Sequence, residues 1–396
     1  MRFGLCNSRL RRSGRRTRRT GWALASAGVL AAVGLLAAPA AQATGVPPSD
    51  PHTYYIGDDG ALWGYEGLGD GTFTRPAQLG PAKTAEPGAR LAAVRLKGYP
   101  LSVFFVGLDG AVYQDCPTAQ QPFPITLTGV APSGAAITAF DTGRGPGVVV
   151  SGIPPRQEAE RAASPALTRE ISNPCTPPPR LMLNNGSSSY TGSDLASAGG
   201  DEPYQGVFFV DGKGSVRAQW YSAATSTPVS VTLTQPGTAA PAGGVAVISD
   251  GAGALTLFFT GLDGRLYAAH PKQGGGLSGP PQPNPNGPAD VPGGAHLAAA
   301  TGPDGIAVGY AAGDGTFTVA TLSTDGTWKD TAPFSDPGFL VAGASVGVTA
   351  ADDGWDWYCG NDLRFLWHFH GPGPRPGWFQ VGDLANAVLG TFFAAA

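Results

Sequence analysis

The sequence predicts an all-β domain built from repeats, and three observations support this prediction. Glycine and proline account for 60 and 37 of the 396 residues, so turns must be frequent, while 42% of the residues are hydrophobic, enough for a packed core. Outside the N-terminal segment, apolar residues do not recur at helical spacing. A hairpin-like motif recurs along the chain. Many short strands joined by turns are therefore expected.

The recurring motif is clearest at residues 101–113, LSVFFVGLDGAVY. An aromatic and β-branched run leads into a Gly/Asp turn that tolerates positive φ, and a second apolar run follows, as in a β-hairpin. Degenerate copies lie at residues 52–63, 206–217, 255–267, 306–317 and 355–365. Each copy is expected to supply the second and third strands of one repeat.

The spacing of the turns predicts the number of repeats. The turns lie near Gly57, Gly107, Asp211, Gly261, Gly313 and Gly360. Successive turns are about 50 residues apart, apart from one interval of 104 residues that equals two periods. A weakened copy at Pro146–Gly152 supplies a strand inside that interval. Seven repeats of this length predict a seven-bladed β-propeller with four-stranded antiparallel blades.

The remaining strands of each blade follow from residue size. Segments of small residues precede the hairpins and suit innermost strands, which converge on a narrow central channel. These segments are residues 91–94, 135–139, 195–199, 244–247, 296–300 and 341–346. More polar runs, such as residues 124–127 and 229–233, suit exposed outer strands.

The first repeat begins at its second strand, so a strand from elsewhere must complete it. Residues 384–389 (LANAVL) resemble the innermost segments and are expected to pair beside Tyr54. A C-terminal strand in this place would complete the first blade, close the ring and remove exposed sheet edges. Removing the last twelve residues should then destabilise the whole domain.

Residues 1–43 have the features of an export signal. Eight arginines precede an apolar run at residues 22–38, and Ala41-Gln42-Ala43 offers small residues before a cleavage point. Export through the Sec or the twin-arginine route is expected, and an uncleaved anchor is the alternative. Residues 44–51 form a short linker, and residues 52–396 form the propeller, with an irregular insertion at residues 153–179.

The charge of the mature chain limits its partners. Loss of the signal removes eight of the 25 basic residues and no acidic residue, which changes the formal net charge from −4 to −12. Such a surface repels phosphate backbones, so nucleic acid and anionic membranes are poor partners. The expected partner is a glycan or a protein of the cell envelope, and no cofactor is predicted.

The cysteines point to one disulfide. Export permits disulfide formation, and Cys116 and Cys175 each follow the predicted third strand of neighbouring repeats, so they are the expected pair. Cys359 lies within an aromatic strand and is expected to be a buried thiol that acts as a small hydrophobic residue.

An aromatic strand followed by GxDG and a hydrophobic-aromatic pair occurs as FFVGLDGAVY, FFTGLDGRLY and YYIGDDGALW. This pattern resembles the propeller lectins of the tectonin and fucose-binding seven-bladed type. In that family, sugars bind in shallow sites between blades, with aromatic rings stacked on the sugar face. The resemblance implies that Trp63, Tyr113 and Tyr267 contact sugar, with Arg217 at the matching position of another repeat. The competing interpretation places these side chains in the core, because both faces of a blade pack on neighbours.

The last repeat is a second candidate site. Four of the eight tryptophans lie between residues 355 and 378, close to two histidines. The candidate ligand-binding residues here are Trp355, Trp357, Trp367, His368 and His370. The two histidines alternate on a predicted strand and share one face, as two ligands of a metal ion would, but no third ligand is evident and no metal site is predicted. Packing between blades is the alternative.

These observations favour a secreted, non-catalytic protein with lectin-like carbohydrate recognition. A protein-binding scaffold is the main alternative, and a glycosidase or lyase is the third. No catalytic constellation is identifiable, because paired carboxylates from different blades would leave no local motif. A lectin predicts several equivalent sites, whereas an enzyme predicts one polar cluster on the propeller axis.

Overall fold

The computed structural model describes most of the predicted propeller. The described residues are 52–66, 74–96, 99, 101–142, 145–151, 175, 180–183, 194–198, 204–222, 228–249, 254–302, 305–351, 354–360, 365–370, 377–383 and 394–395. The predicted signal, the linker and all of the insertion except Cys175 lie outside them. Residues Pro48–Ala396 belong to one compact unit. Within the described part of the chain, no helix is long and apolar enough to cross a membrane.

The described residues form only β-strands as regular elements, numbered here in chain order. The first nine strands are β1 (His52–Ile56), β2 (Leu62–Glu66), β3 (Ala77–Gln78), β4 (Leu91–Val94), β5 (Ser102–Val106), β6 (Val112–Asp115), β7 (Phe123–Pro124), β8 (Ile137–Asp141) and β9 (Pro146–Val150). The next nine are β10 (Arg180–Leu183), β11 (Ala196–Ala198), β12 (Tyr204–Val210), β13 (Val216–Ser222), β14 (Val229–Thr232), β15 (Val245–Ser249), β16 (Leu255–Thr260), β17 (Leu266–Ala269) and β18 (Gln282–Pro283). The last nine are β19 (Ala298–Gly302), β20 (Gly305–Ala311), β21 (Phe317–Leu322), β22 (Trp328–Pro333), β23 (Val346–Ala351), β24 (Gly354–Gly360), β25 (Phe365–His370), β26 (Gly377–Asp383) and β27 (Ala394–Ala395).

The strands form seven sheets, here called sheets 1 to 7. Their orders from the innermost strand outward are β27-β1-β2-β3, β4-β5-β6-β7, β8-β9-β10, β11-β12-β13-β14, β15-β16-β17-β18, β19-β20-β21-β22 and β23-β24-β25-β26. The innermost strand of each sheet contacts that of the next sheet, and β27 contacts both β23 and β4. The arrangement confirms an all-β propeller with antiparallel sheets.

Sheet 3 corrects the predicted blade form. Four antiparallel strands are present in the other six sheets, but sheet 3 has three strands, and β10 pairs in parallel with β9. A tight hairpin can join only antiparallel strands, whereas a parallel partner needs a connection of at least about a dozen residues. The predicted insertion supplies that length between Val150 and Arg180. The prediction that every blade has four antiparallel strands is therefore wrong for this sheet.

The first sheet is completed by the last strand of the chain, as predicted, but by different residues. β27 pairs antiparallel with β1, with Ala394 opposite Tyr54 and Ala395 opposite Thr53. Residues 384–389, which the sequence favoured for this role, lie outside the described residues. Pairing with β27 gives β1 a partner on both sides, so the inner edge of sheet 1 is not left open.

Most predicted innermost segments match strands, with one correction. β4 coincides with residues 91–94, and β8, β11, β15 and β19 overlap their predicted segments. The innermost segment predicted at residues 341–346 lies too early in the chain, because β23 begins only at Val346. Gly343 has a φ of 74°, and the Ala344 amide donates to Val341 O at 2.9 Å, so this stretch is a turn before the strand.

Four of the second strands are buried along their whole length. All residues of β5, β9, β16 and β20 are buried, because each faces a neighbouring sheet on both sides. The largest fully buried side chains include Phe104, Phe105, Phe258 and Phe259, which come from the repeated FF pair. Adjacent residues on a strand point to opposite faces, so each pair fills both inter-sheet cores. The motif therefore encodes the packing of sheets as well as the hairpin.

Gly244 permits a close contact between sheets 5 and 6, which gives a first prediction. A Cβ atom added at Gly244 would lie 1.9 Å from Ala295 O. We expect Gly244→Ala to lower the free energy of unfolding by about 2 kcal/mol, because two backbones would have to separate. Urea unfolding checks this. Gly276→Ala is the matched control, since its Cβ would meet nothing within 4 Å. Equal effects of the two substitutions would contradict the interpretation.

Candidate functional site

The Asp-Gly turns hold their carboxylates in structural hydrogen bonds. Asp109 Oδ1 accepts the Ala111 amide at 3.0 Å, and Asp263 Oδ1 accepts the Arg265 amide at 3.1 Å. The glycines that follow, Gly110 and Gly264, both have a φ of 73°, which favours glycine. The aspartates are therefore turn residues, as the sequence indicated.

The side chains predicted to contact sugar follow these turns and occupy corresponding positions. Trp63, Tyr113, Arg217, Tyr267 and Trp367 lie opposite residues of the second strands and are all half-buried. Because the positions correspond, whatever these side chains do is repeated around the ring. We call them the post-turn residues.

The post-turn tyrosines have one ring face covered. Tyr113 stacks on Phe105 with centroids 5.4 Å apart, and Tyr267 stacks on Phe259 at 5.3 Å. Their hydroxyls donate to Asp109 Oδ2 at 3.3 Å and Asp263 Oδ2 at 3.0 Å. Burial, assisted by the neighbouring aspartate, raises the pKa of each tyrosine, so both remain neutral donors. Only the outer part of each ring is available to a ligand.

The other post-turn residues are tied down in different ways. Trp63 Nε1 donates to Asp59 Oδ1 at 3.1 Å. Arg217 lies 3.8 Å from Asp211 and donates to Ser230 Oγ at 3.3 Å. Trp367 packs edge-on against Phe339, with centroids 5.4 Å apart. Each side chain is held by its own sheet or by the adjoining loop.

The aromatic cluster of the last repeat lies mainly between sheets 6 and 7. Trp355 and Trp357 are buried, and Trp355 Nε1 donates to Ala300 O at 3.2 Å. His368 is buried, stacks on Tyr358 at 5.1 Å and donates from Nε2 to Asp356 Oδ1 at 2.8 Å. The backbone of His370 pairs with Asp356, and its side chain lies outside the described residues. The structure thus places most of this cluster in inter-sheet packing.

A cavity of about 370 Å³ lies between sheets 1 and 2, and none of the predicted ligand-binding residues lines it. Its walls combine two tyrosines, two carboxylates, two amides and apolar side chains. The lining residues are Tyr54, Gly64, Tyr65, Glu66, Thr74, Ala77, Gln78, Leu79, Leu101, Val103, Asp115, Cys116, Pro117, Ala119 and Gln120. This volume suits a small ligand. We call this cavity the 1–2 cleft.

The elements that form the cleft explain its chemistry. Asp115 is the last residue of β6, two positions after Tyr113, so both side chains point from the same face of the strand toward sheet 1. Tyr54 faces it from β1, opposite Gly64 in the strand pair. Glu66 ends β2 and is exposed, which places its carboxylate at the mouth. The cleft is thus polar at the strand ends and apolar toward Leu101 and Val103.

Burial changes the ionisation of the cleft. Asp115 is only 8% exposed, and burial raises its pKa to about 7, although the Cys116 amide hydrogen bond partly opposes this. Burial, together with the Asp115 charge, raises the pKa of Tyr54 to about 12. Because the neutral acid is favoured in the folded state, the stability contributed by Asp115 falls as pH rises toward 7. A carboxyl group poised near neutrality therefore lines the cleft.

The predicted disulfide is confirmed and borders the cleft. Cys116 and Cys175 are bonded with their Cα atoms 6.1 Å apart. Cys116 lines the cleft directly after Asp115. Cys175 precedes β10, so the bond links sheet 2 to the connection of sheet 3. Cys359 is the free cysteine of the described residues and is fully buried, as predicted.

Sheets 2, 4 and 6 contribute a second polar cluster. Asp194 Oδ1 lies 3.3 Å from Arg90, and Asp194 Oδ2 accepts a 2.5 Å hydrogen bond from His296 Nδ1. Each residue lies one or two positions before an innermost strand, and the three sheets are not neighbours. The side chains therefore meet across the space that the innermost strands enclose. Because each oxygen of Asp194 contacts a side chain from a different sheet, the cluster links three sheets across the ring. We call it the channel cluster.

Sequence reasoning missed both the 1–2 cleft and the channel cluster. For the cleft, the signal in the sequence was Asp115, an acidic residue two positions after Tyr113 and therefore on the same face of the strand. For the channel cluster, the signal was the matched segments GARLAAV, GSDLASA and GAHLAAA, which place Arg90, Asp194 and His296 at one repeat position.

The fold defines a β-propeller, and comparisons with solved structures agree. The chain is similar to the lectin BP39L from Burkholderia pseudomallei, with 22% identity, a TM-score of 0.66 and coverage of 85% of this chain and 94% of that one. It is also similar to the six-bladed lectin of Aleuria aurantia, described as having a novel fucose recognition mode, with 14% identity, a TM-score of 0.51 and coverage of 85% and 91%. A mutant of AofleA from Arthrobotrys oligospora matches with 12% identity, a TM-score of 0.51 and coverage of 89% and 86%.

Neither a protein-family model nor a curated protein matches the chain. At these identities the structural matches establish the propeller fold. Lectins recur among the neighbours that share it.

Proposed function

We propose that this protein is an exported, non-catalytic carbohydrate-binding propeller and that the 1–2 cleft is one of its ligand sites. The observation that carries this proposal is a cavity with aromatic and polar walls between two sheets of a fold shared with lectins. Carbohydrate ligands need flat apolar surfaces for their CH-rich faces and fixed polar groups for their hydroxyls. The cleft supplies both.

The polar groups of the cleft are held before any ligand arrives. Gln78 Nε2 donates to Gly80 O at 2.8 Å, which orients the amide. Thr74 Oγ1 accepts the Glu66 amide at 3.0 Å and fixes the backbone of the sheet 1 wall at the mouth. A site with preset partners loses less conformational entropy on binding.

The post-turn residues are a second proposed set of sugar sites. Support comes from their half-buried aromatic rings at corresponding positions in several sheets. Trp63, Tyr113 and Tyr267 would each offer a ring edge and a fixed turn carboxylate. Arg217 would offer a guanidinium at the matching place in sheet 4.

We also infer that sheet 3 occupies a blade position, which gives a ring of seven. Its innermost strand β8 contacts β4 on one side and β11 on the other, as the innermost strand of a blade does. Export is supported by the Cys116–Cys175 disulfide, since such bonds persist in oxidising compartments.

A glycan array with residues 44–396 tests the function, with and without chelator and over a range of salt. We expect binding to one sugar class that neither chelator nor salt abolishes. Absence of binding to every glycan on the array would overturn the carbohydrate proposal and favour the alternative, a protein partner in the cell envelope. A pull-down from the cell envelope would then identify that partner.

Two sets of variants locate the site. We expect Gln78→Ala combined with Gln120→Ala to weaken sugar binding at least about tenfold, because both amides that line the cleft are lost. Gln282→Ala, an exposed glutamine on the corresponding outer strand of sheet 5, is the matched control. Substituting Trp63, Tyr113 and Tyr267 with alanine tests the post-turn set. If only that triple variant loses binding while remaining folded, the cleft is not the site.

A further inference from the structure

The charged groups that line the 1–2 cleft share one sign. Glu66 and Asp115 are the only charged residues among those that line it. Asp115 is more than nine-tenths buried, and no salt bridge among the described residues includes it. Its hydrogen bond comes from the Cys116 amide. Among the described residues, the lining of the cleft therefore contains a buried carboxyl group and no cationic side chain.

A buried carboxyl without a cationic partner favours a ligand that brings one. Coulomb attraction is several times stronger in a partly desolvated site than in water, so an ammonium group beside Asp115 would be favoured and a second carboxylate disfavoured. Arg75, next to Thr74, is exposed and does not line the cleft. Sugars with uronic or sialic carboxylates are thus poor candidates.

The shape of the cleft fits a single sugar residue with this charge. The register places Gly64 opposite Tyr54, and a Cβ at Gly64 would lie 3.2 Å from Tyr54 Cδ1 and 2.9 Å from Leu79 Cδ1. The absence of a side chain at Gly64 therefore lets the Tyr54 ring and Leu79 pack directly against this strand, which fixes the position of the ring in the wall of the cleft. Asp115 lines the buried part of the cleft and Glu66 its mouth, and both carboxylates act electrostatically on Tyr54, so a sugar bound beside Tyr54 would have both of them nearby.

We propose that the 1–2 cleft selects a protonated amino sugar, a hexosamine with a free amine, whose ammonium group lies between Asp115 and Glu66. This inference rests on the proposed function, which it narrows to a ligand class. N-acetylation of the sugar would remove the charge and add bulk. The free amine is therefore the recognition element, and the ring hydroxyls meet the amides of Gln78 and Gln120.

The ionisation of the cleft adds a pH signature. Tyr54 faces Asp115 from sheet 1, and the amide of the next residue, Cys116, donates a hydrogen bond to it. Arg95 and Glu66 act electrostatically on Tyr54. The pKa of Asp115 is about 7, so it is mostly neutral at pH 5.5 and mostly charged above pH 7. Affinity for the amine should rise over that interval, as long as the amine itself stays protonated.

Calorimetric titration of residues 44–396 with glucosamine, N-acetylglucosamine, glucose and glucuronic acid tests the inference. We expect glucosamine to bind at least about tenfold more tightly than the other three at pH 7. Asp115→Asn and Glu66→Gln should each remove most of that preference. Asp330→Asn, an exposed strand residue of sheet 6, removes the same charge elsewhere and should leave the preference intact.

The outcomes separate the inference from the proposed function. Equal affinity for glucose and glucosamine, or an unchanged preference in Asp115→Asn, would overturn the amino-sugar inference while leaving sugar binding standing. Binding to none of the four sugars and to no sugar on the array would overturn both. Asp115→Asn should not unfold the protein, because burial already favours the neutral side chain.

Discussion

Removing residues 394–396 is expected to lower the free energy of unfolding by about 3 kcal/mol or more. The deletion removes β27, which pairs with β1 through Thr53 and Tyr54 and contacts β4 and β23. Each lost backbone hydrogen bond costs roughly 1 kcal/mol, and the loss also exposes the edge of β1 and opens the ring between sheets 7 and 2. Urea unfolding followed by tryptophan fluorescence measures the change.

A backbone-preserving control distinguishes ring closure from simple loss of alanine side chains. Replacing Ala394 and Ala395 with glycine keeps the amides and carbonyls that pair with β1, so a smaller loss is expected. Hydrogen exchange should show faster exchange of β1 amides in the truncated chain than in the glycine variant. Unchanged stability after truncation would mean that the closing strand contributes nothing to the ring.

The hairpins could be predicted from sequence because their determinants are local. The run LSVFFVGLDGAVY contains both strands and the turn, and Asp109 bonds the Ala111 amide only two residues away. The glycine at position 110 adopts the positive φ that the pattern requires. Hydrogen bonds and backbone conformations of this kind depend on neighbouring residues only, so a window of about twelve residues is enough to predict them.

Sheet 3 departs from the prediction because strand pairing is not local. Residues 180–183 (RLML) carry no sign of whether they run parallel or antiparallel to β9. The long insertion removes the constraint that a tight turn imposes, so either direction becomes possible. The same freedom explains why the closing strand was assigned to LANAVL, a plausible innermost strand, when Ala394–Ala395 performs that role.

The 1–2 cleft could not be assembled from sequence because its walls come from two sheets. Tyr54 and Glu66 lie on one wall, and Asp115 and Gln120 lie on the other. The resemblance directed attention to Tyr113, which is on the correct face of β6 but two residues from the cavity lining. The predicted strand register therefore identified the correct face of β6 but not the residue that lines the cleft.

Asp194→Ala is expected to lower the free energy of unfolding by about 3 kcal/mol. The substitution removes the carboxylate that pairs with the mostly buried Arg90 guanidinium and accepts the His296 hydrogen bond. The three side chains are 14–17% exposed, so water compensates for only part of the loss. Equivalent positions in other sheets carry Ala136, Gly244 and Ser345. Small residues there leave room for the three longer side chains to meet. Urea unfolding measures the effect.

An exposed ion pair supplies the matched comparison. Arg265 lies 3.9 Å from Asp263, with both side chains close to half exposed, so Arg265→Ala should cost less than about 1 kcal/mol. Arg90→Ala should cost more than that, since its partner Asp194 is mostly buried. Similar costs for the two arginine substitutions would show that the channel cluster is as weak as a surface pair.

A double substitution distinguishes the net stabilisation by the ionic contacts from the cost of leaving a buried charge without its counter-ion. If Asp194 stabilises the ring mainly by neutralising Arg90, then Arg90→Leu combined with Asp194→Leu should recover much of the stability lost in Asp194→Ala. The double variant removes the buried guanidinium together with the carboxylate that neutralised it. His296 would then face apolar side chains. If the double variant is less stable than Asp194→Ala, the ionic contacts themselves hold sheets 2, 4 and 6 together across the channel. The channel cluster would then stabilise the ring in the same way as β27, by joining sheets that are distant in sequence.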